Sequence, residues 1–164
     1  MKKFIVLLLF ISSIGISGCG ENSSEKEKIT SLKKKSEKHI IPVQIGQGDL
    51  YYGSGREVIP QQGIVIKTQS QWDNLKHAMD EVNNTSNSFL EKEIDFNNYQ
   101  IIAVFDEVKG NGGWSIDITD IAEYFNTIVV TVKNLKTGDL TSVITQPYHI
   151  VKIPASSKEI IFKH

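Results

Sequence analysis

Between residues 71 and 82 the apolar positions are Trp72, Leu75, Met79 and Val82, a spacing that lines one face of a helix. Ser70 stands before them as an N-cap with Asp73 three residues on, and Asn83-Asn84 forms the stop, so the pattern predicts a helix from Gln71 to Glu81. His77 falls off the apolar face, on the solvated side. Elsewhere the period shortens to two. Gly63–Lys67 reads as a short β-branched strand, and Gln100–Phe105 is apolar on both faces, which suits the centre of a sheet. Trp114, Ile116 and Ile118 alternate with Ser115, Asp117 and Thr119, and Ile128, Val130 and Val132 alternate after a loop at Glu123–Asn126. Leu140–Thr145, the run 145–154 and Glu159–Phe162 add further strands, with a Thr-Gly-Asp turn at 137–139. Val43–Ile45 alternates briefly and passes into a glycine-rich stretch, 46–63, that predicts an irregular hairpin with Tyr51 and Tyr52 partly exposed. Strands this close together leave no room for crossover helices. The expected class is α+β: a mainly antiparallel β-sheet or sandwich with one amphipathic helix, occupying residues 42–164.

The first forty residues have a different texture. Lys2 and Lys3 precede an apolar run, Phe4–Ile16, that is short for a bilayer span and is followed by small residues, the pattern of a secretory signal. Ile16-Ser17-Gly18-Cys19 resembles the bacterial lipobox, with the chain's single cysteine where the lipid would be attached. The expectation is a signal peptide at 1–18, a lipidated Cys19 and a location in the cell envelope, anchored to a bacterial membrane. The alternative is an ordinary signal peptide containing an incidental cysteine. Acyl chains contribute about 0.8 kcal/mol per buried CH₂, so two or three would hold the protein firmly. Residues 19–41 read as a charged tether, or as a solvated helix of Glu/Lys pairs; too few apolar side chains are present to offset the entropy of ordering.

Charge and candidate chemistry narrow the function. Residues 20–41 carry six Lys and four Glu, net +2; residues 42–164 carry ten basic and fifteen acidic residues, net −5. The basic stretch suits anionic headgroups, and the acidic remainder argues against nucleic acid. The histidines, His39, His77, His149 and His164, show no metal-ligand spacing, and no serine sits in a GxSxG elbow. The glycines of 46–63 lack the order of a phosphate loop. His149 reads as structural, one nitrogen donating to backbone or a carboxylate, with a general base as the competing role. Asp106, Glu107, Asp117 and Asp120 flank the turn KGNGG, either as a calcium-holding set or as a solvated sheet edge. No cofactor, metal or catalytic residue is expected.

The remaining motif is TQPYHIVKIP, Thr145–Pro154. Pro147 cannot donate to a ladder and belongs at a strand's first residue or on an edge. Alternation puts Tyr148, Ile150 and Lys152 on one face and His149, Val151 and Ile153 on the other. Together with Asp95-Phe96 and Gly112-Gly113-Trp114, this stretch resembles the C-terminal domain of the PrcB-type protease-complex-associated lipoproteins. Trp114 replaces the family's usual tyrosine or phenylalanine after the two glycines, keeping an aromatic but enlarging it. The resemblance implies a non-enzymatic binding or stabilising module. Its partner would be an exported protease or another envelope protein, and its contact set Gly112, Gly113, Trp114, Tyr148 and His149. A protease inhibitor using the loops near Gly110–Gly113 and Gln146-Pro147 is the alternative.

Overall fold

The computed structural model describes residues 37–51 and 59–164. The signal peptide, Cys19, most of the tether stretch, Tyr52 and the side chain of Tyr51 lie outside the described residues. Among the described residues eight strands and one α-helix follow in order, with a short 3-10 helix at Thr85–Ser88 after the α-helix: β1 (Lys38–His39), β2 (Val43–Tyr51), β3 (Gln62–Ile66), α1 (Gln69–Met79), β4 (Tyr99–Phe105), β5 (Asp117–Glu123), β6 (Thr127–Lys133), β7 (Thr145–Pro154) and β8 (Glu159–Lys163). They build two four-stranded sheets, ordered β2-β7-β4-β3 and β1-β5-β6-β8. All pairings are antiparallel except β6 with β8. That parallel pair is made possible by β7, which crosses through the other sheet where a helix would otherwise be needed.

Helix α1 covers one face of the first sheet and the second sheet covers the other. Trp72, Leu75 and Met79 pack with Ile45, Ile101, Phe105 and Ile150 in one core. Ile102, Val104, Val151 and Ile153 pack with Ile118, Ile121, Val130 and Val132 in the other. This explains why β4 and β7 are apolar on both faces. The helix begins two residues earlier than the sequence suggests. Thr68, not Ser70, is the N-cap, its Oγ1 accepting from Gln71 N at 3.3 Å, and Asp80 closes the C-terminus.

Four further expectations change. The described part of the glycine-rich stretch forms no hairpin: through Tyr51 it is strand β2, which pairs with β7, while β3 pairs with β4. A bulge between Gln44 and Gly46 sets Ile45 and Gly46 toward the same core, and it breaks the alternation that would have announced the strand. Leu140–Ile144 forms no strand; Leu140 is fully exposed in a loop. Trp114 precedes β5 and makes only an isolated bridge to Thr137. Finally, the folded region starts before residue 42, because Lys38 and His39 pair with Glu123 and Ala122 and Ile40 N donates to Ile121 O.

Pro147 sits third in β7, a central strand, rather than at its first residue or on an edge. The ladder accommodates it because its carbonyl accepts from Asp106 N, just past the end of β4. A strand residue directs N–H and C=O to the same side. The missing donor therefore faces the Asp106 carbonyl, which instead accepts the side-chain amide of buried Gln146 at 2.9 Å.

Candidate functional site

The Gly-Gly-Trp turn is a crossing point of two loops, 106–116 and 134–145. Gly113 has φ +74° and Gly138 has φ +89°, conformations that side chains disfavour. Gly138 N donates to Gly113 O and Asp139 N to Gly112 O. A Cβ on Gly113 would lie 2.6 Å from the Asp139 carboxylate, and one on Gly138 2.6 Å from the Trp114 ring. Of the two predicted glycines, only Gly113 uses left-handed backbone; Gly112 is buried against Val143. Gly112 N also donates to Thr141 O, and Lys109 exchanges backbone hydrogen bonds with Thr145. The loop at 110–113 and the segment before Pro147 are thus brought together.

Trp114 is half-buried in this crossing. Its Nε1 donates to Asn111 Oδ1 at 2.9 Å, and Lys109 Nζ stands 4.7 Å from the ring centroid. Lys109 in turn bridges Glu107 and Asp106, at 2.9 and 3.2 Å. Burial works against the ammonium, yet its hydrogen bonds to those carboxylates raise its pKa overall. Asp106 is a buried hub: Oδ1 accepts from Gln61 and Glu107 N, Oδ2 from Asn134. It is therefore neither a solvated edge residue nor open to a cation. Among the described residues no group of three or more His, Cys, Asp or Glu side chains is placed to hold a metal. The two loops also carry exposed apolar residues, Val108, Leu135, Leu140 and Ile144.

Tyr148 and His149 point to opposite faces and both are buried, 4% and 8% exposed. Tyr148 packs its ring against Phe89 and Phe105 and reaches the walls of two clefts beside β2. His149 lies between the sheets, and its Nδ1 accepts from Ile118 N at 3.0 Å. The structural role is as expected but the polarity is reversed: this nitrogen accepts, so the neutral tautomer carries its proton on Nε2. Burial lowers the His149 pKa, with Asp117 partly opposing.

The sign of the resulting pH dependence is fixed. Above about 6.5, the free histidine value, both states are neutral and the contribution of His149 is complete. As pH falls below that value the unfolded chain binds a proton that the folded chain resists, so stability drops. His39, exposed and hydrogen-bonded to Asp120, has a raised pKa and acts in the opposite sense. Thermal melts of the His39→Ala protein should therefore show a midpoint falling between pH 7 and 5.5. A flat or rising midpoint would contradict the burial of a neutral His149.

One cleft, about 450 Å³, runs between β2 and the Trp114 loop. Gln44, Gln47 and Asp49 form one wall; Trp114, Asp117 and Lys136 stand on the other. Gln47 Nε2 donates to Asp117 Oδ1 at 2.7 Å, and Ser115 Oγ and Leu135 N donate to Oδ2. Asp49 is different. Its Oδ1 is buried without a hydrogen-bond partner among the described residues. Burial raises its carboxyl above the usual range, Lys136 opposing and Asp139 adding to the shift. Sequence reasoning missed Asp49 and read Asp106 only as a calcium ligand or a solvated edge residue, because nothing in the spacing of an aspartate reports its burial.

Comparison with known proteins supports the resemblance on the segment that holds the loop crossing, but not on β2. Residues 100–154, from β4 through β7, match the family model described as PrcB C-terminal. No curated protein and no solved structure matches the chain.

Proposed function

We propose that this chain, with its PrcB C-terminal segment, is a non-enzymatic protein-binding module of the cell envelope. Cys19 carries the lipid anchor, and the folded part engages an exported protease or another envelope protein. The observation that carries this reading is the loop crossing. Two positive-φ glycines and a network of hydrogen bonds hold Trp114 and display Val108, Leu135, Leu140 and Ile144 to solvent. Rigid loops carrying exposed apolar side chains lose little entropy on binding, which favours recognition. His149 supports the non-enzymatic side of the reading, since Nδ1 is already occupied by a backbone amide.

The test is crosslinking and capture of the lipoprotein in its own envelope. A recurrent exported protein should be recovered, and Trp114→Ala should weaken its affinity by about 1–2 kcal/mol. Leu140→Asp, at a fully exposed position, separates loss of contact from loss of loop structure. Tyr148→Ala is a poor probe because it empties the core. Full capture by both loop variants would remove the loops from the interface. The inhibitor reading draws on the same crossing; it requires slowed turnover of surface serine or cysteine proteases by the wild type and not by Leu140→Asp.

A further inference from the structure

Among the described residues, strand β2 forms an edge of its sheet. Its ladder fixes which backbone groups face outward. Thr145 bonds to Lys109 and Pro147 to Asp106, so the main-chain groups of residues 145 and 147 point away from β2. Alternation then turns those of Gln146 and Tyr148 toward Leu50 and Gly48, their partners in register. The N–H and C=O of Gln47 and Asp49 must face the opposite way, off the sheet. Ile45, across the bulge, confirms the direction: its carbonyl accepts from Leu90 N on the outer side. Outside the ladder with β7, no backbone hydrogen bond reaches Gln47 or Asp49 among the described residues. The open edge therefore presents two residues at the spacing a further strand would need.

A cleft flanks this edge on each face. Gln47 and Asp49 project toward Trp114, Asp117 and Lys136. Gly48 projects the other way, toward a cleft of about 590 Å³ lined by Asn83, Asn84, Thr85, Ser88 and Tyr148. Side chains of an added strand would alternate between the two clefts. The first cleft holds two carboxylates against one lysine, and Asp49 Oδ1 lacks a hydrogen-bond donor among the described residues.

We propose that the edge of β2 at Gln47–Asp49 accepts an extended segment of the partner protein as an added strand, with a lysine or arginine of that segment seated against Asp49. This rests on the protein-binding function proposed above and specifies its partner's chemistry. A second copy of the chain fits less well. Antiparallel pairing of two β2 strands about Gly48 brings two Asp49 side chains onto one face and supplies no cation to either.

Selection of a displayed library of random ten-residue peptides on the full-length chain tests the proposal. Selected peptides should carry a basic residue, and amide exchange at Gln47 and Asp49 should slow when they bind. Asp49→Asn should weaken them about tenfold. Gly48→Leu should abolish binding without unfolding the protein, because a Cβ there meets Tyr148 Oη only at 3.6 Å, an ordinary contact. Binders without a basic residue, or unchanged exchange at both amides, would overturn the proposal. So would slowing of the same amides with rising concentration of the chain alone, which would make the occupant a second copy. Gly48→Leu in the envelope capture experiment separates the two levels. A partner still recovered by that variant sinks the added strand and leaves the binding function standing. A blank with the wild type sinks the function itself.

Discussion

Replacing Asp106 by alanine should destabilise the protein by about 3–5 kcal/mol, the range for removing one partner of a buried ion pair. The carboxylate is 3% exposed and accepts from Gln61, Glu107 N and Asn134 besides Lys109. Its loss strands several donors at once, and a stranded buried group loses its full solvation. Lys109, 13% exposed in the wild type, would keep only the surface carboxylate of Glu107, so its place over the Trp114 ring should loosen as well. Urea unfolding gives the energy, and tryptophan emission reports the ring. Asp106→Asn should be milder, since an amide oxygen still accepts. A loss below 1 kcal/mol for the alanine variant would show that the hub is solvated in solution.

The second large effect is at Trp72. Its side chain is fully buried, stacks on Phe89 at 5.5 Å between centroids, and donates from Nε1 to Lys92 O. Trp72→Ala should cost about 3–5 kcal/mol, as for other large-to-small core changes. The consequence extends to the proposed edge. Phe89 is the ring against which Gly46 packs, so closely that a Cβ there would come within 2.8 Å. Emptying the Trp72 site lets Phe89 move, and β2 loses the support that fixes its bulge. Amide exchange should therefore rise across residues 44–48 before global unfolding. If exchange rises only in α1, the helix and the edge strand are independent.

The parts of this fold that could be read from the sequence are those where a regular period coincides with burial. Helix α1 and β6 repeat at 3.6 and 2, β4 is an unbroken apolar run, and the pattern gives the ends of each within two residues. Where a strand is bulged, the period fails. Ile45 and Leu50 face one core although an odd separation should oppose them, and Ile118 and Ile121 do the same across the bulge in β5. The faces of β7 were legible because nothing interrupts it. The place of Pro147 within β7 was not, since it depends on the Gln146 side chain reaching a carbonyl forty residues away. Of the expected contact set, Trp114 and its two glycines gather at the loop crossing, while Tyr148 and His149 serve the two cores. Asp49 acquires its character only when β2 pairs with β7 beside the distant loop at 134–139.

The position of β7 between β2 and β4 governs the order of assembly. Residues 43–51 have their ladder partner at 145–152, about a hundred positions downstream. During synthesis the first sheet lacks one of its two central strands until residues 145–154 have emerged, and closing so long a loop is slow relative to local structure. A nascent chain is therefore held open by topology alone. It acquires resistance to proteolysis in one late step and not by gradual accretion.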